Sequence, residues 1–257
     1  MSDRLSKRQR QERILERLGS DVTVRISTLA EQFDVTTETI RRDIDDLTDK
    51  GLVDRTYGGA ASKSLSREPA MEQRRLKQVA ERERIASYAT SLIEPGDVVM
   101  IDAGSTTLHF ARALAIGDME LTVLTNCLPV AYALGPMPKI RVMLCPGEFR
   151  ETEGGLYGEE TIDYLDRFMA NKAIISAGGI AGDEVTDADS RASSVKRKMI
   201  ERATESVLLL DHSKYEIRLF STVCHLSLLD NMVVDCPPPG KLETALRNAR
   251  VQFHIAP

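Results

Sequence analysis

The segment Thr36-Thr37-Glu38-Thr39-Ile40-Arg41-Arg42-Asp43-Ile44-Asp45-Asp46-Leu47 constrains the fold of the N-terminal part of this chain more than any other stretch. Ile40, Ile44 and Leu47 recur at helical spacing and define one apolar stripe. Thr36 stands just before them, where its hydroxyl can accept a bond from an orphan helical amide. Glu38, Arg41, Arg42 and Asp45 fall on the opposite face. Taken alone, the segment is compatible with a solvated amphipathic helix. It is equally compatible with a helix entering a major groove, where two adjacent arginines near its start meet base edges and flanking phosphates.

The neighbouring segments decide between the two. Arg8 to Leu18 reads as a first helix with Ile14, Leu15 and Leu18 on one face and Gly19 as its stop. Val22 to Ile26 alternates apolar and polar residues, the sign of a short strand. Ser27 is placed to cap a second helix carrying Leu29, Ala30 and Phe33. Beyond the Thr36 helix, Gly51 supplies a stop. The run Leu52-Val53-Asp54-Arg55-Thr56-Tyr57-Gly58-Gly59-Ala60 reads as a β-wing whose arginine can reach phosphate. Helix, strand, helix, turn, helix, wing is the order of a winged helix-turn-helix. The expected partner is double-stranded DNA, with Ser27, Thr36, Thr37, Glu38, Thr39, Arg41, Arg42, Arg55 and Tyr57 as candidate contacts.

The pattern Leu29-Ala30-Glu31, Val35, Thr39-Ile40-Arg41-Arg42-Asp43-Ile44, Leu47, Gly51-Leu52-Val53, Arg55 and Gly58-Gly59-Ala60 resembles the N-terminal domain of DeoR-family bacterial repressors. Its Thr-Ile-Arg-Arg-Asp core is far less generic than helix-turn-helix spacing. The resemblance implies operator binding, usually as part of a homodimer or homotetramer.

Net charge does not contradict this. The chain carries a formal −5, but residues 1–75 hold 15 basic and 14 acidic side chains, and the first thirty hold 7 against 4. So mild an asymmetry points to locally placed arginines, with no broad basic surface. Cys127, Cys145, Cys224 and Cys236 are widely spaced, with no Cys-x-x-Cys pair and no nearby pair of histidines. Reduced thiols are expected, with no metal and no cofactor. No signal peptide and no apolar run of membrane-spanning length is legible, so a cytoplasmic protein with no membrane partner is expected.

Ala61 to Pro69 is small, polar and broken by proline, and is read as the start of a linker. The expected organisation is a DNA-binding domain over 1–60, a linker over 61–77 and an effector domain over 78–257. The charged stretch Glu72 to Arg84 predicts a solvated helix running on to Leu92. From Asp97 onward, strands are expected at 98–101, 121–124, 140–144, 173–175 and 207–210. Helices are expected near 105–115, 128–134, 158–168 and 191–204. Such alternation predicts an α/β fold with a largely parallel sheet covered by helices on both faces. Ligands of such sheets sit beyond the carboxyl ends of the strands.

The residues at those ends are polar throughout. Asp102-Ala103-Gly104-Ser105-Thr106-Thr107 opens a helix, and small residues with helix N-terminal amides make an anion site. Thr125-Asn126 follows the second strand, Pro146-Gly147-Glu148-Phe149-Arg150 the third, Ser176-Ala177-Gly178-Gly179 the fourth, and Asp211-His212-Ser213-Lys214 the fifth. Each alone is an ordinary strand-to-helix turn; together, with an arginine and a lysine among them, they suit a small phosphorylated ligand.

The Asp102–Thr107, Thr125-Asn126, Gly147 to Arg150 and Asp211–Lys214 segments also resemble the DeoR-family effector domain, similar in fold to ribose-5-phosphate isomerase. The likeness spans about residues 5–236. It implies a phosphorylated sugar or polyol as effector, with Asp102, Gly104, Ser105, Thr106, Thr107, Asn126, Arg150 and Lys214 as candidate contacts, to which Thr125, Gly147 and His212 are added for their place at the same strand ends. Pro146-Gly147 replaces a common Gly-Gly, and Val234-Asp235 a common Thr-Asp, which weakens transfer of any particular effector. An enzyme of the isomerase type is the alternative, and a transcriptional activator a lesser one. Isomerisation needs a carboxylate base, but the loop Ser176 to Gly179 has none, and the region matching a Lys-Gly-Gly-Gly loop is Asp189-Ser190-Arg191-Ala192-Ser193-Ser194. Asp183, Glu184, Asp187 and Asp189 nearby are expected to form a solvated acidic loop. No catalytic residues are assigned.

Overall fold

In a computed structural model, residues 5–20, 23–50, 52–56, 58–62 and 70–257 are described. The chain divides into two compact units, Met1–Arg67 and Glu68–Pro257.

In the first unit, helix α1 spans Lys7–Ser20 and strand β1 Thr23–Arg25. Helices α2 (Ile26–Gln32) and α3 (Thr37–Asp49) follow, then strands β2 (Val53–Thr56) and β3 (Gly59–Ser62). The three strands form one antiparallel sheet in the order β1-β3-β2. Ile14, Leu18, Leu29, Phe33, Ile40, Ile44, Leu47 and Val53 fill a single core between helices and wing. Three local expectations are corrected. Helix α1 runs through Gly19, so that glycine is no stop. Helix α2 starts at Ile26 behind Arg25, placing Ser27 inside its first turn, exposed and making no cap. Gly51, the expected stop of α3, lies outside the described residues, as does Tyr57. The Gly58-Gly59 pair has a steric reason: Gly58 has φ +79°, and a Cβ on Gly59 would lie 2.0 Å from the Val24 carbonyl oxygen.

The second unit begins with two helices where one was expected, α4 (Met71–Arg75) and α5 (Val79–Thr90), separated by Gln78 in the left-handed region at φ +51°. The segment 61–77, expected as linker, therefore contains the end of β3 and all of α4, whose Met71 is buried in the core. Strands β4 (Val98–Ile101), β5 (Leu121–Thr125) and β6 (Ile140–Leu144) alternate with helices α6 (Ser105–Leu114) and α7 (Leu128–Leu134). A short hairpin, β7 (Glu148–Arg150) and β8 (Gly155–Tyr157), leads to α8 (Glu159–Leu165) and β9 (Ala170–Ser176). Then come β10 (Gly179–Ala181), β11 (Glu184–Asp187), α9 (Ser190–Glu201), β12 (Ala203–Leu210), β13 (Ser221–His225), β14 (Asn231–Val234), α10 (Gly240–Asn248) and β15 (Gln252–Ile255).

Seven strands form a wholly parallel sheet in the order β15-β14-β12-β9-β4-β5-β6. Five were expected; β14 and β15 extend the edge. Alternate residues serve opposite faces. Ile174, Val207, Leu209 and Val233 enter one core, while Ile175, Leu208, Leu210, Met232 and Val234 enter the other. Burial on both faces is why these strands read as continuous apolar runs. The second core is closed by α10 and by an antiparallel sheet in the order β10-β11-β13, where helices alone had been expected. Strands β5 and β6 build outward on one side of β4, and β9, β12, β14 and β15 on the other. The chain reverses its direction of winding between β4 and β9, and ligands of open α/β sheets lie at that point.

Candidate functional site

In the first unit, Thr36 caps α3 as expected, its hydroxyl accepting the Thr39 amide at 3.2 Å and lying 2.9 Å from the Thr39 hydroxyl. The turn before it is closed by Asp34 at φ +50° and by the Val35 amide bonding to the Ala30 carbonyl at 3.0 Å. With one face of α3 committed to the core, Thr37, Glu38, Arg41 and Arg42 are left exposed. Glu38 lies 3.7 Å from the Arg41 guanidinium and 3.4 Å from that of Arg42. Pairs this exposed hold their partners weakly, so a phosphate can replace Glu38. Arg55 on the wing pairs with Asp45 in the same way. Asp43 does something different. It is 1% exposed and binds Arg10 of α1 through two bonds, at 2.7 and 3.2 Å, so it ties α1 to α3.

In the second unit, the ends of β4 and β9 bring Asp102 and Ser176 together at the reversal point. The Ser176 hydroxyl donates to Asp102 Oδ2 at 3.1 Å, and the Lys196 ammonium lies 3.1 Å from the same oxygen. Lys196 comes from α9 and also binds Asp187 at 2.6 Å. All four residues are less than 10% exposed. Burial works against the charged form of Lys196, but Asp187 and Asp102 more than offset it, and its pKa is raised above the usual lysine value. The polar chain continues outward. Asp187 Oδ1 accepts the Asp189 amide at 3.3 Å, and Asp189 caps α9 and binds the Arg150 guanidinium at 3.1 Å. Asp187 is therefore a buried ion-pair member; the expectation of a solvated loop is wrong for it, because Lys196 draws it inward.

Other expected contacts divide. Gly104 has no room for a side chain, since a Cβ would lie 2.1 Å from the Ser176 hydroxyl. It starts α6 with no side-chain cap, leaving the amides of the first turn to whatever occupies the space before them. Ser105 and Thr106 stand in that turn. The Thr107 hydroxyl, by contrast, donates to the carbonyls of Asp102 and Gly104 at 3.0 and 3.1 Å. The Thr125 hydroxyl donates to Ile101 O at 2.7 Å and accepts from the Cys127 amide at 3.0 Å. Thr107 and Thr125, expected to face a ligand, are committed to the backbone. Asn126 donates to Leu156 O at 3.0 Å. Gly147 sits at φ +139°, where a Cβ would lie 2.3 Å from Thr161 Oγ1, so the turn itself requires glycine.

His212 and Lys214 lie in the 3-10 turn after β12. His212 Nδ1 is 2.5 Å from Asp235 Oδ2, and Cys236 Sγ is 3.5 Å from the same oxygen, a cluster the spacing did not suggest. Asp211 faces inward and is 1% exposed. Arg82 of α5 meets its Oδ2 through two nitrogens at 3.1 Å each. Arg82 also donates to the Arg74 carbonyl at the end of α4. Arg74 in turn pairs with Glu153, and the Met71 amide bonds to Thr152 O at 2.8 Å. Arg82 and Arg74, expected on a solvated face, are anchors instead, the first buried and the second half-buried. No helix among the described residues is long and apolar enough to cross a membrane.

Comparison with known proteins accords with both units. The family model for the DeoR-like helix-turn-helix domain matches residues 10–65, and that for the DeoR C terminal sensor domain matches residues 77–236. The glycerol-3-phosphate regulon repressor of Escherichia coli (strain K12) is 32% identical over 248 residues, covering 96% of this chain and 98% of that protein. The lactose phosphotransferase system repressor of Streptococcus mutans is 31% identical, over 93% of this chain and 96% of that one. Among solved structures, ribose 5-phosphate isomerase A of Methanocaldococcus jannaschii aligns at 16% identity with a TM-score of 0.39, over 52% of this chain and 53% of that one.

Proposed function

The chain belongs to the DeoR family of transcriptional regulators, and from that premise we propose that it represses an operon for carbohydrate or polyol catabolism and is released from its operator by a phosphorylated sugar or polyol. It is a regulator and not an enzyme; the two carboxylates buried at the reversal point, Asp102 and Asp187, are both ion-paired with Lys196. One observation carries the proposal: a single chain joins an exposed Arg41-Arg42 pair on a capped recognition helix to a polar site at the sheet's reversal point. The phosphate would lie on the uncapped first turn of α6, at Ser105 and Thr106, with Arg150 and Lys214 as its cations. The protein works in the cytoplasm as a homodimer or homotetramer, which presents paired α3 helices to half-sites separated by whole helical turns.

For an effector to release DNA, it must bind the low-affinity arrangement better than the operator-bound one. Helix α4 is the natural lever. It is the first helix of the second unit, and it is gripped both by the Thr152–Glu153 turn beyond Arg150 and, through Arg82, by Asp211 beside Lys214. A phosphate drawing in Arg150 and Lys214 moves both anchors of one helix.

Gel shift with genomic fragments selected by their binding to the wild-type protein tests this directly. Arg41→Ala and Arg42→Ala should each weaken binding by about 1–3 kcal/mol. Sugar or polyol phosphates should release wild-type protein. Unchanged DNA affinity in both variants refutes the assignment of α3, and release by none of the phosphorylated compounds refutes the effector class.

A further inference from the structure

We infer that the buried cluster around Lys196 is the hydroxyl-recognising end of the effector site: Asp102, Asp187, Tyr157 and Asn126 receive the polyol hydroxyls while the phosphate stays at α6. This rests on the sugar-phosphate reading above and adds what the site selects for.

The first support is two orphaned polar atoms. Tyr157 is 2% exposed and Asn126 is fully buried, yet among the described residues neither Tyr157 Oη nor Asn126 Oδ1 has a hydrogen-bond partner. A buried polar group without a partner is destabilising and uncommon, and a bound ligand is one of the few reasons for keeping it. Both atoms belong to the reversal point. Asn126 follows β5, and its amide group bonds to the residue next to Tyr157. Gly155 is placed so that a Cβ on it would lie 2.8 Å from Tyr157 Oη and 2.8 Å from Ala103 Cβ, which sets the phenol against the Asp102–Gly104 turn. Burial pushes the Tyr157 phenol well above its usual pKa, so it is a neutral O–H able to donate and accept.

The second support is charge. Lys196 with Asp102 and Asp187 sums to −1 in a region less than 10% exposed. A dianionic phosphate is repelled from such a place, where few solvent dipoles screen it. A hydroxyl is not. It can donate to the remaining carboxylate lone pairs and Asn126 Oδ1, and accept from a Lys196 N–H or from Tyr157 Oη. Lys196 already donates to Asp187 at 2.6 Å and stands 3.1 Å from Asp102 as an ion pair, so the ammonium is oriented before a ligand arrives. Phosphate at the helix terminus and hydroxyls at the acceptor-rich cluster fix the ligand's direction. The cluster therefore separates polyhydroxylated phosphates from simple alkyl phosphates.

Tyr157→Phe tests the assignment, because the lost oxygen bonds to nothing among the described residues. Purified full-length wild type and variant are titrated calorimetrically, and by operator release, with glycerol, tetritol, pentitol and hexitol phosphates, the alkyl phosphates of equal chain length, and inorganic phosphate. Wild type should bind at least one polyol phosphate about tenfold or more tightly than its alkyl counterpart. Tyr157→Phe should lose about tenfold for that polyol phosphate only, the size expected of one buried hydrogen bond. Its affinity for alkyl and inorganic phosphate, and for operator DNA, should not change. Equal binding of polyol and alkyl phosphates by wild type overturns the inference while leaving the phosphate reading standing. So does an unaltered polyol preference in the variant. Binding of no phosphorylated compound removes the underlying reading and this inference with it. The wild-type comparison decides the matter even if the variant folds poorly.

Discussion

Arg82→Met isolates the anchor that joins the strand-end turn at Asp211 to helix α4. The replacement keeps most of the aliphatic stem and deletes two hydrogen bonds, one to Asp211 Oδ2 at 3.1 Å and one to the Arg74 carbonyl, together with a second guanidinium–carboxylate contact at 3.1 Å. Arg82 and Asp211 side chains are 3% and 1% exposed, so water does not replace what is lost. Removing one member of a buried pair costs about 3–5 kcal/mol, chiefly because the other charge is stranded. The value should fall near the lower limit, about 3 kcal/mol, since Asp211 Oδ1 still accepts from the Ser213 amide at 3.1 Å and from its hydroxyl. For a unit of this size, that lowers Tm by about 6–12 °C. Adding Asp211→Asn removes the stranded charge and should recover roughly half of the loss, a coupling that distant residues do not show. Thermal and urea melts give these energies, and operator release against effector concentration gives the function. If α4 is the lever, Arg82→Met binds operator but is released only at effector concentrations about tenfold higher or more. Loss of stability with an unchanged release curve would falsify the lever and reduce Arg82 to packing.

Two further outcomes follow from local geometry. Thr36→Ala should destabilise the DNA-binding unit by about 1 kcal/mol through loss of the α3 cap, whereas Arg10→Met, which strands Asp43, should cost about 3 kcal/mol or more; a reversed order in urea melts refutes the roles given to these two residues. Burial holds the thiols of Cys127, Cys145 and Cys224 up at about 12, so their thiolate fraction at pH 8 is about one in ten thousand. Iodoacetamide at that pH should label Cys236 alone in the native protein and all four cysteines after denaturation, and mass spectrometry of the peptides reads this out; native labelling of any of the three buried thiols contradicts their placement.

The contrast between what was legible and what was not is clearest at three charged residues. Asp43, Arg82 and Lys196 all stand on the apolar stripes of their helices, Asp43 beside Ile40, Ile44 and Leu47, Arg82 beside Ile85, Ala86 and Ala89, Lys196 beside Ala192, Val195 and Met199. That position is a signal, since a charge on a buried stripe needs a partner. Yet the partners are Arg10, Asp211, Asp187 and Asp102, separated from them by up to 129 residues in sequence. Periodicity shows that a charge is buried but not what meets it. The same limit explains Thr107 and Thr125, whose strand-end positions suited a ligand but whose hydroxyls turn back to nearby carbonyls.

The recognition helix, its cap, the wing and the parallel strands β4, β5, β6, β9 and β12 were legible in the residue order, because each is specified by spacing and end signals within a few residues of one another. That order also marked the strand ends as the place for a ligand. Packing in three dimensions settled the rest: that the winding reverses between β4 and β9, that α4 is an anchored helix, and that a lysine from α9 lies between two carboxylates at the reversal point. These depend on which strand lies beside which, a choice made by the packing of two cores and unrelated to distance along the chain.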